Sequence, residues 1–204
     1  MLVVLLFKAG RKIMEHCLFP LFTPYARIIL YLNGAIVGKG IDVKGFIKVI
    51  VTRRGKLQIG ENLHINSGNN FNIIGRQQKN IFWIEGTLCI GNNVGMSSSA
   101  IICNHIINIG DNVTIGGNTV IYDTDFHSLN PIDRQNKKLD KLNSKKLPVI
   151  IHKNVFIGAH TTILKGVTIG ENSIIGACSL VSKSIPANEI WAGNPAIFIK
   201  KFNE

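Results

Sequence analysis

An aliphatic residue recurs every six positions through much of the C-terminal half of the chain. Ile109, Ile115 and Ile121 set the spacing; Ile151, Ile157, Ile163, Ile169, Ile175 and Val181 resume it. Four positions after the first five of that second run stand Val155, Thr161, Val167, Ser173 and Ser179, all small or β-branched. Glycine follows the aliphatic residue at Gly158, Gly170 and Gly176, and Asn or Asp precedes the small residue in "IGEN" and "IGDN". The rule holds more loosely from Ile59 to Phe71, with Leu63, and at Ile90 with Val94 and Met96. A helix cannot produce this pattern, because 3.6 residues per turn scatter positions six apart over opposite faces. Short strands with a turn every six residues do produce it. β-Branched residues then point inward, and Gly and Asn take corners at φ > 0. Each circuit stacks on the last and like residues form a ladder, with about seven coils between residues 35 and 186.

The ladder fails at one place. Six positions after Ile121 the chain carries His127, and no aliphatic period returns before Ile151. The intervening "YDTDFHSLNPIDRQNKKLDKLNSKKLP" is polar and lysine-rich, which predicts an irregular protruding loop over 123–148. Residues 1–34 form a separate apolar segment. "MLVVLLFKAGRK" has its charges after the apolar run, and the next stretch is cut by Pro20, Pro24 and Arg27. This predicts a helical segment rather than a membrane span or a secretory signal. It either packs on the main body or lies on the inner membrane surface with Lys8, Arg11 and Lys12 on headgroups. The expected location is the cytoplasm, with that peripheral contact left open.

Composition narrows the function classes. The 204 residues are 46% hydrophobic and 17% charged, enough for one core with appendages. A net charge of +11 favours anionic partners. Nucleic acid is disfavoured, because the basic residues are dispersed and no aromatic-basic motif occurs. Cys17, Cys89, Cys103 and Cys178 form no CxxC pair, so they are expected to be small buried residues of a reducing compartment. No two of the six histidines are five residues apart, which disfavours a zinc-dependent carbonic anhydrase-like protein; no metal is expected.

The segment "FIGAHTTILKGVTIGENSIIGACSLVSKSIPANEIWAGNPA" resembles the hexapeptide-repeat acyltransferases, and within them the sugar O-acetyltransferases of the maltose/galactoside and surface-polysaccharide type. The resemblance implies an all-β fold, a left-handed parallel β-helix over 35–186. Residues 187–204 would then hold a turn at Gly193 and Pro195 and a short C-terminal helix. It also implies transfer of an acetyl group from acetyl-coenzyme A to a sugar hydroxyl, by a homotrimer. An amino-sugar nitrogen, an antibiotic hydroxyl, or a scaffold without catalysis remain alternatives. His127 matches the family's general base, a role suited to an imidazole because it titrates near neutrality. Asp123 and Asp125 are close enough in sequence to orient the ring, and Asp125 is preferred. Asn104 and His105 are the candidates for contact with the saccharide. For coenzyme A the family pattern marks Ala159, Ala177, Ser182, Lys183 and Lys200. A second basic position of some relatives is Ile197 here, a departure from the pattern.

Overall fold

The computed structural model describes residues 2–72, 74 and 78–202; the side chains of residues 11 and 14–19, and so those of Arg11, His16 and Cys17, lie outside the description. A long helix, α1 (Leu2–Leu32), precedes six coils of three strands each. The first coil carries β1 (Ile36–Val37), β2 (Asp42–Lys44) and β3 (Lys48–Val51), and the second β4 (Lys56–Ile59), β5 (His64–Asn66) and β6 (Ile81–Ile84). The third has β7 (Thr87–Ile90), β8 (Gly95–Ser97) and β9 (Ala100–Cys103), and the fourth β10 (Ile106–Ile109), β11 (Thr114–Ile115) and β12 (Val120–Tyr122). Two short helices follow, α2 (Pro131–Arg134) and α3 (Lys137–Asn143). The fifth coil then has β13 (Val149–Ile151), β14 (Phe156–Ile157) and β15 (Thr162–Ile163), and the sixth β16 (Thr168–Ile169), β17 (Ile174–Ile175) and β18 (Leu180–Val181). First, second and third strands stack separately into three parallel sheets, here A, B and C.

The register follows the six-residue rule. Ile109, Ile151 and Ile169 are partners in sheet A, Ile115, Ile157 and Ile175 in sheet B, and Ile121, Ile163 and Val181 in sheet C. All nine are buried. The corner between sheets A and B is held by a ladder of asparagines. Asn62, Asn93, Asn112, Asn154, Asn172 and Asn188 all have φ between 56° and 63°. Each side-chain amide donates to the carboxamide oxygen of the next, at 2.8–3.1 Å. Asparagine suits this place because it tolerates the left-handed region and offers both donor and acceptor. The repeat glycines do something else. Gly110, Gly158, Gly170 and Gly176 are not left-handed; a Cβ on Gly110 would lie 2.7 Å from the Lys153 backbone nitrogen. They permit coil-to-coil approach, whereas the sequence pattern had assigned them to φ > 0.

Four other expectations are corrected. The described residues form six full coils rather than about seven, and Phe71 does not continue the ladder. It sits in an excursion between β5 and β6 and packs its ring on Phe22 of α1 at 5.5 Å. The 123–148 excursion is not irregular: Asn130 and Asn136 cap α2 and α3 with their side-chain oxygens. The short C-terminal helix is absent. After the turn at Gly193, "IFIKK" forms β20 (Ile197–Lys201), antiparallel to β19 (Glu189–Ala192), which pairs with β17 in sheet B. A β-branched and aromatic run beside an open sheet edge favours strand over helix. Of the described cysteines only Cys103 is buried; Cys178 is exposed at a left-handed corner.

The last turns of α1 close the first coil. Ala26 and Leu30 are buried, Val43 donates its amide to Thr23 Oγ1 at 2.9 Å, and Val51 donates its amide to Asn33 Oδ1 at 3.1 Å. Leu2 to Phe7, at the other end of α1, are exposed. Among the described residues no helix is long and apolar enough to cross a membrane. The asparagine ladder yields a stability prediction. Asn154→Ala should lose about 1–3 kcal/mol in urea unfolding, from left-handed strain and two broken side-chain bonds, and Asn154→Gly should lose less because φ is restored. Unchanged stability in both variants would show that the ladder does not hold this corner.

Candidate functional site

The corner between sheets C and A is where the chain departs from regularity. Successive coils place residues 85–86, 104–105, 123–148, 164–167 and 182–184 there. The excursion leaves through a neck. Asp123 is fully buried, and its two carboxylate oxygens accept the amides of Asn104 and His105, each at 2.7 Å. Thr124 and Lys146 form an antiparallel bridge, and Asp125 donates its amide to the Lys145 carbonyl at 3.0 Å. Burial, with the Asp123 carboxylate second, pushes the Cys103 thiol beneath this corner well above its usual range, so it stays protonated.

The turn after the neck aims His127 outward. Phe126 is left-handed at φ 62°, its amide donates to Thr124 Oγ1, and its ring packs on Tyr122 at 5.3 Å. The His127 amide then donates to the Asp125 carbonyl at 2.7 Å. The imidazole itself is held from the far side of the excursion. Asp140 of α3 places Oδ2 2.6 Å from His127 Nδ1, and its Oδ1 accepts the Ser128 amide at 2.7 Å. Asp140 is mostly covered, while the His127 side chain is 70% exposed. The His127 hydrogen bond first, then the Ser128 amide, hold the Asp140 carboxyl below its ordinary value of 3.8. An ionised carboxylate only accepts, so Nδ1 carries the proton and Nε2 of the neutral ring is left as an acceptor. The helices are braced against this turn: Ser128 Oγ donates to Asp133, Asn143 donates to the same carboxylate, and Arg134 donates to the Ser128 and Leu129 carbonyls.

This pairing corrects the expected partner. Asp125 does not face His127; it forms an ion pair with Lys165 on the next coil at 2.6 Å, tying the root of the excursion to the solenoid. Asp140 was not a candidate from the sequence. It lies 13 residues beyond His127, within a helix whose signal is the Asn136 cap rather than a hydrophobic period.

His127 lines a cleft of about 550 Å³ on the outer face of sheet C, with Trp83, Glu85, Ile102, Asn104 and Phe126 among its walls. That volume suits a small-molecule ligand. Of the two expected saccharide contacts, Asn104 lies in the cleft, and its Oδ1 is buried without a hydrogen-bond partner among the described residues. His105 is exposed and does not line the cleft. Trp83 and Glu85 were missed, since Trp83 reads as an ordinary outward strand position and Glu85 as a corner residue. The residues expected at coenzyme A are not gathered at this cleft. Ser182 and Lys183 are exposed on the C–A corner, above the excursion. Ala159 and Ala177 lie on the opposite corner, between sheets B and C, followed by left-handed His160 and Cys178. Lys200 is on β20 at the edge of sheet B. No group of three or more His, Cys, Asp or Glu among the described residues is placed to hold a metal ion.

Residues 148–183 match the family described as bacterial transferase hexapeptide (six repeats). The putative lipopolysaccharide biosynthesis O-acetyl transferase WbbJ of Escherichia coli (strain K12) is 32% identical over 158 residues, 73% of this chain and 74% of that one. The galactoside O-acetyltransferase of the same strain is 39% identical over 104 residues, 51% of this chain; the chain spans about half that relative's length, 48%. Among solved structures, a galactoside acetyltransferase in complex with coenzyme A is similar with a TM-score of 0.56 and 26% identity, over 87% of this chain and 70% of that one.

The depressed Asp140 carboxyl makes a pH prediction of definite sign. Its folded value lies below the unfolded one, so the His127–Asp140–Ser128 link contributes fully above about pH 4 and is lost as pH falls through the folded value. A carbon-13 carboxyl titration of Asp140 should have its midpoint below 3.8, with the Ser128 amide proton shifting at the same midpoint. A midpoint at or above 3.8, or a Ser128 amide indifferent to it, would contradict the geometry.

Proposed function

Because this chain belongs to the hexapeptide-repeat acyltransferase family, we propose that it transfers an acetyl group from acetyl-coenzyme A to a hydroxyl of a saccharide, on a left-handed parallel β-helix. The observation that carries the proposal is the His127–Asp140 pair beside a ligand-sized cleft, at the place where the aliphatic ladder breaks. Asp140 keeps the proton on Nδ1, so Nε2 takes the acceptor hydroxyl proton as the oxygen attacks the thioester carbonyl. The tetrahedral intermediate collapses by breaking the carbon–sulfur bond. The imidazolium returns its proton to the departing sulfur, which leaves as the coenzyme A thiol. His127 ends neutral, and the acetyl group ends on the sugar oxygen. Asn104 Oδ1, an acceptor lacking a partner among the described residues, is suited to a second hydroxyl of the same sugar.

The donor side is proposed to be shared between copies. Within one chain, sheet C separates Ala159 and Ala177 from the corner that carries His127, Ser182 and Lys183. Three copies about an axis along the solenoid would set the B–C corner of one against the C–A corner of the next. The small side chains of Ala159 and Ala177 would then admit the pantetheine arm, and Lys183 and Lys200 would meet the phosphates. A cytoplasmic location is proposed, with the exposed Leu2–Phe7 segment and Lys8 on the inner membrane surface.

Kinetics with acetyl-coenzyme A and a panel of saccharides test this. His127→Ala should lower kcat by about 10²–10⁴ with little change in the KM for acetyl-coenzyme A. Asp140→Ala should lower kcat more than Asp125→Ala, which removes an ion pair and leaves the imidazole partner in place. Lys183→Ala and Lys200→Ala should raise the KM for acetyl-coenzyme A more than they lower kcat, because phosphate binding is the same in ground and transition states. Wild-type turnover in His127→Ala would refute the mechanism, and full activity of a monomer in sedimentation experiments would refute the shared site.

A further inference from the structure

The charges around the cleft do not balance. Besides His127 its walls carry Lys48, Glu85, Lys137, Asp140 and Lys141. Glu85 is paired with Lys141 at 3.3 Å, and Asp140 is taken up by His127 and the Ser128 amide. Among the described residues neither Lys48 nor Lys137 has a carboxylate partner. Both are exposed, so a neutral ligand in the cleft would leave this positive charge unanswered, whereas an anionic group would pair with it.

The cleft is also longer than a single reacting hydroxyl requires. Lys48 opens β3 and is in register with Ile81 of β6, then Ala100 of β9 and Val120 of β12. Two strand spacings of about 4.8 Å separate its level from that of β9, the last strand to line the cleft, so the floor runs roughly 10 Å. Midway stands Trp83, 39% exposed and in register with Ile50 on one side and Ile102 on the other. An indole on an aliphatic floor in a site for polyols offers a flat face to the C–H face of a sugar ring.

We infer that the acceptor is a sugar carried on a phosphate, with its ring against Trp83 and its phosphate drawn to Lys48 and Lys137. The inference rests on the acetyl-transfer reading and deepens it to a substrate class. The phosphate has two sources, a nucleotide carrier in solution or an isoprenoid carrier in a membrane, and both present the same sugar–oxygen–phosphorus group to these side chains.

Calorimetric binding without any acetyl donor keeps the test separate from the chemistry. The probes are a free hexose, the hexose 1-phosphate, a nucleoside diphosphate hexose, and a hexose phosphate on a dodecyl chain in phosphatidylcholine vesicles. Phosphorylated probes should bind roughly tenfold or more tightly than the free hexose, and Lys48→Ala should remove most of that preference. Trp83→Leu, which keeps an apolar side chain, should weaken every sugar probe and leave the phosphate preference standing. The nucleotide and vesicle arms identify the carrier by which binds tighter. Equal affinity for free and phosphorylated hexose would overturn the inference, as would a preference untouched in both Lys48→Ala and Lys137→Ala. Tight binding of phosphorylated hexose with no acetyl transfer to any saccharide would uphold the anion site and remove the acetyltransferase reading instead.

Discussion

Coil-to-coil register is the constraint from which the rest of the structure follows. Each short strand takes its backbone partners from the coils before and after it, so a residue's neighbours in space are set by its place in the circuit. Strands of two to four residues hold few hydrogen bonds apiece, and their alignment depends on many equivalent contacts acting together. The buried isoleucines supply a non-directional part of this and the Asn62–Asn188 ladder a directional part. An insertion within a strand would shift the register of everything after it. Extra chain is therefore accommodated at corners, and both excursions, before β6 and before β13, begin and end there.

The candidate site is built from that restriction. The second excursion is anchored to the solenoid at several points, among them Asp123 to the coil below, Asp125 to Lys165 on the coil above, and Lys141 to Glu85. Within it, α2 and α3 are too short to be stable alone. They are held by polar contacts to Ser128 and Asp133 and by their asparagine caps, and so bring Asp140 to His127. The His127 imidazole is thus exposed yet oriented, an arrangement a position inside the ladder could not give.

The solenoid was legible in the sequence because one residue class at one spacing repeats: Ile151 to Val181 names the inward positions of two coils without ambiguity. His127 was legible as an absence in the same pattern. Asp140 was not, because its role depends on two capped turns whose cues, Asn130–Pro131 and Asn136, are local and say nothing about what lies across from them. Proximity in sequence favoured Asp125, but the left-handed Phe126 turns the chain so that Asp125 faces Lys165 and the imidazole points away. Trp83 and Lys48 escaped notice for a different reason. They belong to one surface only through register, which joins residues 48, 81, 83, 100 and 102 from three separate circuits. At the other end, "IFIKK" lacked any six-residue cue and was assigned from family pattern to a helix, while the open edge of sheet B drew it into a strand.

That terminal hairpin has a consequence for how such an architecture changes over evolutionary time. A stack of parallel strands exposes unsatisfied backbone groups on its last rung, and an identical rung from another molecule could add there without limit. In sheet B the antiparallel return of β20 occupies the rung with a strand of opposite polarity, and its five exposed residues include Lys200 and Lys201. At the other end the last turns of α1 cover the first coil. New length that enters internally, as a duplicated whole circuit or as a larger bulge at a corner, leaves both of these closures in place. Diversification by corner growth leaves the frame untouched, so the excursion that carries His127 is free to vary in size and chemistry while the coils beneath it keep their register.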